Sequence, residues 1–263
     1  MKKTLYIFLL FIICLIPACE QTSEPEIDIP FKSQIVIQGN LEGGNTFQGI
    51  TISKTLPLDK SYNPGEAYIT NASAFIKVNG SQIIPLHYVE KDIYKPLLPL
   101  TIIWGWTYEL FVQIDDVTAY SKTFVPAIPA ISDVQFHDDG YYLSAQTKVQ
   151  QDVVYGAAWM IGNYASADDF YTIENSPAGS SLTVRTTVLP DFYKNSSSKN
   201  ITSIQVYAFD KAYYDYFKTK GNGKPIDNSY IQGGGSVSWN VYGKDVIGLF
   251  IGYATSVLKK ADN

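Results

Sequence analysis

Ala72-Ser-Ala-Phe-Ile-Lys-Val78 alternates apolar and polar residues, Asn79-Gly80 follows, and Gln82-Ile-Ile-Pro-Leu86 resumes the run. Alternation with period two puts one set of side chains on a core face and the other in solvent, the pattern of a half-buried strand. Asn-Gly supplies the two left-handed positions of a type I′ turn, so the segment predicts a β-hairpin. The same signals recur on both sides. Ser33-Gln-Ile-Val-Ile-Gln-Gly39 is a short β-branched strand closed by glycine, and Phe47 to Lys54 alternates so that Ile50 and Ile52 share a face. Pro57 to Gly65 is a loop carrying Asn63-Pro64-Gly65. Trp106 to Ile114 and Val117 to Phe124 form another hairpin, turning at Asp115-Asp116. About seven short strands in roughly 95 residues is the spacing of an immunoglobulin-like sandwich, expected over residues 31–126.

Val125-Pro-Ala-Ile-Pro129 is a stiff, extended connector and the expected domain boundary. Residues 130–256 read as a second β-rich domain. Ile131 to Phe136 and Tyr141 to Val149 flank the turn His137-Asp-Asp-Gly140. Val153 to Ile161 is nearly all apolar, as expected of a strand buried on both faces. Leu182 to Leu189 and Ile201 to Phe209 follow, then one short helix over Asp210 to Thr219, capped by Asp210. Tyr213, Tyr214 and Phe217 fall on one face of that helix, and Gly221 and Gly223 end it. Final strands are expected at Ser236 to Val241 and Val246 to Ala254. The fold class is therefore all-β.

Composition agrees. Hydrophobic residues make up 46% of the 263, enough for a proper core, and aromatics reach 14% with 20 tyrosines, a bias that suits pleated faces. The net charge of −5 argues against a nucleic-acid partner, which calls for a basic patch.

At the N-terminus, Lys2 and Lys3 precede an apolar run from Leu5 to Leu15, too short to span a bilayer comfortably. Leu15-Ile-Pro-Ala-Cys19 then reads as a lipoprotein cleavage site, making residues 1–18 a signal peptide and Cys19 the acylated anchor in membrane lipid. Residues 19–30 form an acidic tether carrying Glu20, Glu24, Glu26 and Asp28, either a plain solvated linker or a signal for export to the cell surface. Cleavage removes Lys2 and Lys3, two positive charges, and takes the net charge from −5 to −7. Cys14 leaves with the leader and Cys19 is consumed by lipid, so the mature body has no disulfide and no cysteine-held metal.

Catalytic motifs are sparse. His87 and His137 have no partner set by spacing, and neither a His-Glu-x-x-His helix, a Gly-x-Ser-x-Gly elbow nor a P-loop occurs. The pairs Asp115-Asp116, Asp138-Asp139 and Asp168-Asp169 read first as turn formers. A glycoside hydrolase would need two carboxyls at a defined separation. No cofactor, metal or catalytic residue is assigned. The aromatic surplus is the better lead: Trp104-Gly-Trp106, with Tyr213, Tyr214 and Phe217, are the candidate ligand- or partner-binding residues, against the alternative of plain packing.

Ile35-Val-Ile-Gln-Gly39 and Ile50 to Asp59, behind the cysteine and the acidic linker, resemble the opening of the Bacteroidota lipoproteins grouped as domain of unknown function 4249. Tyr213 to Phe217, Asn240-Val-Tyr-Gly243 and Gly248-Leu-Phe-Ile-Gly-Tyr253 resemble that family's helix and closing segment. The resemblance implies an outer-membrane lipoprotein that serves as a non-enzymatic accessory or binding partner of a TonB-dependent nutrient transporter; the acidic tether adds the expectation that it faces the cell exterior. It implies no catalytic residue. A carbohydrate-binding or adhesive surface module is the alternative, and a cryptic glycoside hydrolase built on the aspartates is a third reading.

Overall fold

The computed structural model describes residues 31–57, 61, 63–137, 141–161, 164–165, 177–188, 203–219 and 237–259. Cys19, the leader, the tether up to residue 30, Asp138, Asp139, Asp168, Asp169 and the glycines from 221 to 235 lie outside the described residues. The fold is all-β, as the alternation predicts. Its strands are β1 (Ile35–Glu42), β2 (Ile50–Lys54), β3 (Ser73–Val78), β4 (Gln82–Glu90), β5 (Ile93–Lys95), β6 (Thr107–Ile114), β7 (Val117–Phe124), β8 (Ile131–His137), β9 (Tyr142–Lys148), β10 (Val153–Ile161), β11 (Tyr164–Ala165), β12 (Ser181–Arg185), β13 (Ser203–Asp210), β14 (Val241–Gly243) and β15 (Val246–Lys259).

Among the described residues, twelve strands are hydrogen-bonded in the order β11-β10-β13-β15-β1-β2-β5-β4-β3-β6-β7-β14, and β12-β9-β8 form a second sheet. The quoted hairpin is β3 and β4. Asn79 and Gly80 both take positive φ, 48° and 76°, as a type I′ turn requires. Pro85 is tolerated because β4 changes partners along its length. It pairs with β3 from Gln82 to Leu86 and with β5 from His87 to Glu90, so only β3 lies alongside at the proline.

Gly39 does not close a strand; β1 runs on to Glu42. Gly39 is instead a packing position, where a Cβ would sit 2.8 Å from Ile50 Cγ2 and 2.9 Å from the Phe250 ring. A second helix, Pro64–Ala67, stands where a loop was expected. Asn63 caps it, accepting from the Gly65 N–H at 3.2 Å, and Pro64 takes the first turn, where its missing N–H costs nothing. β5, only three residues long, carries too little alternation to be read from sequence.

One core gathers Ile37, Leu41, Ile52, Ile76, Leu110 and Phe250; a second gathers Leu143, Tyr155, Trp159, Val184, Ile204 and Val206. Burying each such side chain contributes about 1.5–3 kcal/mol before conformational entropy is subtracted. β10 is buried on both faces from Val153 to Trp159, as its apolar run predicts. The closing strands differ from expectation. β14 pairs with β7, and β15 pairs with β1 as well as with β13, so residues from both sides of the Val125–Pro129 connector join one compact unit, 33–263.

β15 pairs with β1 in parallel, Ile37 opposite Gly248. A Cβ on Gly248 would overlap the Ile37 carbonyl oxygen, so only glycine permits this approach. β13 accompanies β15 only as far as Tyr253. Beyond that point side chains take over the ladder. The Asn240 amide donates to the Phe250 carbonyl at 2.7 Å and accepts from the Phe250 N–H at 2.8 Å. Gly252 N–H donates to Thr123 Oγ1, which donates in turn to Asp210 Oδ2 at 2.7 Å. This accounts for the burial of Thr123 and Asn240.

Candidate functional site

The face of β1, β2 and β15 turned away from the first core is lined by polar and aromatic side chains. On β1 the buried Ile37, Gly39 and Leu41 alternate with Gln38, Asn40 and Glu42, which point the other way. Glu42 stands opposite Tyr253 of β15, and Gln38 opposite Thr51 of β2. With Asn45, Gln48 and Ile93 these residues bound a cleft of about 650 Å³. Tyr253 O–H donates to Glu42 Oε2 at 3.2 Å and Thr255 Oγ1 donates to Oε1 at 3.3 Å. Burial first, and the Glu42 charge second, raise the Tyr253 phenol pKa well above its usual value; Tyr207 is raised by the same two causes. Sequence reasoning missed this cleft because it ended β1 at Gly39, and the alternation of Gln38, Asn40 and Glu42 was the available signal.

Tyr253 belongs to an aromatic row. Its ring lies 5.7 Å from Phe209 and 6.5 Å from Tyr207, and Tyr213 stacks on Phe209 at 4.2 Å. The helix Ala212–Thr219 lies over this row, its first turn held by the Asp210 carboxylate, which accepts from Ala212 N–H at 3.0 Å. Tyr214 is buried with Phe209, Val154 and Ile251, and Lys218 Nζ sits 4.6 Å above its ring. Phe217 is half-buried, 6.2 Å from Tyr213. Burial and then Tyr216 push the Tyr213 phenol up to about 12.

Trp104 and Trp106 sit on the connection between Thr101 and Thr107, 41% and 38% exposed. The Trp104 ring lies against Gly43 and Gly44, the turn that leads from β1 to Asn45. Gly43 N–H donates to the Tyr253 carbonyl at 2.9 Å. The tryptophan pair and the helix aromatics thus flank β15 from two directions without a ring contact between them among the described residues.

Asp115 forms the turn between β6 and β7 with φ 50°, and Ile114 pairs with Val117 across it. His87 is exposed on β4. His137 ends β8 rather than sitting in a turn; its ring stacks on Tyr142 at 4.5 Å, its Nε2 lies 2.8 Å from Ser144 Oγ, and Arg185 Cζ lies 5.7 Å over the Tyr142 ring. No group of three or more His, Cys, Asp or Glu placed to hold a metal occurs among the described residues. No described helix is long and apolar enough to cross a membrane.

A different surface is apolar. Leu97 and Leu98 are 79% and 78% exposed, between Pro96 and Pro99, beside Ile83 of β4.

No curated protein matches the chain. Among solved structures, a chain described as "Cytokine receptor complex - Crystal form 1A" is 11% identical over 88% of this chain and 98% of its own, at a TM-score of 0.26, which carries no argument. A family match covers residues 20–259, nearly the whole chain, and includes both the β1–β2 cleft and the glycine-bearing β15: the chain belongs to the family described as Domain of unknown function (DUF4249).

Proposed function

We propose that this protein is a lipid-anchored lipoprotein of the outer membrane, of the Bacteroidota type, facing the cell exterior. It acts there as a non-enzymatic accessory of a TonB-dependent nutrient transporter. Leu15 to Cys19 supports the anchor, and the family match starts at residue 20, directly after the cysteine. The observation that carries the docking half of this reading is the shelf formed by Leu97 and Leu98. Two leucines exposed by more than three quarters cost free energy in water unless covered, and flanking prolines hold them out at little entropic cost. Ile83, Val89 and Tyr88 on β4 add exposed apolar area. The immunoglobulin-like kinship of residues 31–126 belongs to the same reading. Its support is the run of seven short strands, β1 to β7, within those residues.

The test is a mild-detergent pull-down of the tagged protein from its own membranes, read by mass spectrometry. Wild type is expected to bring down a TonB-dependent barrel. Cys19→Ala and the double variant Leu97→Asp/Leu98→Asp are expected to lose it. Recovery of no barrel with wild type contradicts the reading, and retention by the aspartate variant contradicts the shelf. A second reading, a carbohydrate-binding surface module, is favoured by the polar cleft beside Tyr253.

A further inference from the structure

The β1–β2 cleft has a composition that selects its ligand. Among the described residues no Lys, Arg or His lines it, and the one carboxylate is Glu42. A phosphate, sulfate or carboxylate group would meet no countercharge there and one like charge. An apolar ligand would strand the amide groups without partners. Glu42 already accepts from Tyr253 and Thr255, and the amides beside it match a neutral molecule rich in hydroxyls. Gln38 and Asn40 have no side-chain hydrogen bond among the described residues and are exposed, so their amides are ready to bind. A primary amide offers two donors and a carbonyl acceptor, which matches a pair of adjacent hydroxyls. Gln38, Asn40 and Glu42 are two residues apart along one strand, so their attachment points repeat every ~6.8 Å in a straight row. Glu42 is fixed as an acceptor by Tyr253 and Thr255, which leaves lone pairs for an incoming hydroxyl. Tyr253, wedged among Tyr207 and Phe209, gives the row a rigid aromatic end against which the C–H face of a sugar ring packs. The volume of about 650 Å³ is within the usual range for a small-molecule site.

We infer that this cleft is a binding site for a neutral oligosaccharide, with Gln38, Asn40 and Glu42 reading hydroxyls and Tyr253 supporting one ring. The inference deepens the carbohydrate-binding reading and rests on it; it is independent of any transporter.

The test is isothermal titration of the mature lipidated protein, in a zwitterionic detergent free of sugar headgroups. The probes are maltohexaose, cellohexaose, xylohexaose and mannohexaose, with a hexauronate as the charged control. At least one neutral hexasaccharide is expected to bind, with the hexauronate at least tenfold weaker. Gln38→Ala/Asn40→Ala is expected to lower that affinity tenfold or more with the unfolding midpoint unchanged, since both side chains are exposed. Gln38→Glu/Asn40→Asp keeps the shape, removes the donors and is expected to lose as much. The inference is overturned if none of the four binds, if either double variant binds like wild type, or if the hexauronate binds as tightly. Loss of barrel recovery in the pull-down would sink the transporter reading and leave this result standing.

Discussion

At the scale of single residues, two positions on or beside β15 decide whether the closing strand can seat. Gly248 faces the Ile37 carbonyl with no room for a methyl group. Gly248→Ala is expected to cost about 2–4 kcal/mol, read as a fall in the urea midpoint at constant slope. A change under about 0.5 kcal/mol would show that β1 and β15 are not packed as described. Asn240 carries both hydrogen bonds of the Phe250 peptide after β13 has dropped away. Asn240→Ala leaves a buried N–H and C=O without partners and is expected to cost about 2–4 kcal/mol on the same assay. Tyr213, on the helix, titrates late because its ring is buried against Phe209. Its phenol is pushed up to about 12 by burial and Tyr216, whereas the unfolded chain releases that proton near pH 10. Between those values the unfolded state binds fewer protons, so stability falls as pH rises from about 10 to about 12 and is intact below. Tyr213→Phe is expected to flatten that fall in pH-dependent unfolding; an unchanged slope would contradict the assignment.

At the scale of elements, loops are tied down by tyrosines, and the described residues contain no cysteine. Tyr94 O–H donates to Ile69 O at 2.8 Å and accepts from Ala72 N–H at 3.0 Å. Tyr155 O–H donates to Lys148 O at 3.0 Å and accepts from Gln150 N–H at 2.9 Å. Tyr108 O–H accepts from Ile103 N–H at 2.7 Å. Each hydroxyl crosses from a strand to a connection, so Tyr94→Phe and Tyr155→Phe are each expected to cost about 1–3 kcal/mol in chemical denaturation. Their cores should remain filled, because the ring stays. The strands themselves were legible from period two, and β7 and β10 have the bounds that the sequence predicts. What sequence could not supply is register between distant segments. The cleft depends on Glu42 meeting Tyr253, 211 positions away, and no local pattern encodes that pairing. Likewise Gly39 reads locally as a stop, and only its neighbours Ile50 and Phe250 reveal it as a contact. The tryptophans at 104 and 106 and the tyrosines of the helix were legible as an aromatic surplus, but not their division between exposed loop and covered sheet.

At the scale of the whole molecule, β15 joins the first core to the aromatic layer beneath the helix and is hydrogen-bonded to β13, whose Ile204 and Val206 lie in the second core. Phe250 points into the first, while Ile251 and Tyr253 face the aromatic layer beneath the helix. The polar ties from Thr123 to Gly252 and Asp210 connect residues from both sides of the Val125–Pro129 connector. Such a seam is expected to make the two cores melt together. It also holds β1, β2 and β15 rigid where the cleft lies, which keeps the ordering cost of binding low. The most direct test of this account is native-state hydrogen exchange across residues 31–259. The amides of β1, β13 and β15 are expected to open together, at the free energy of global unfolding and in a single transition. Two separate transitions, with the amides of residues 31–126 still protected after those of 130–256 have exchanged, would contradict it.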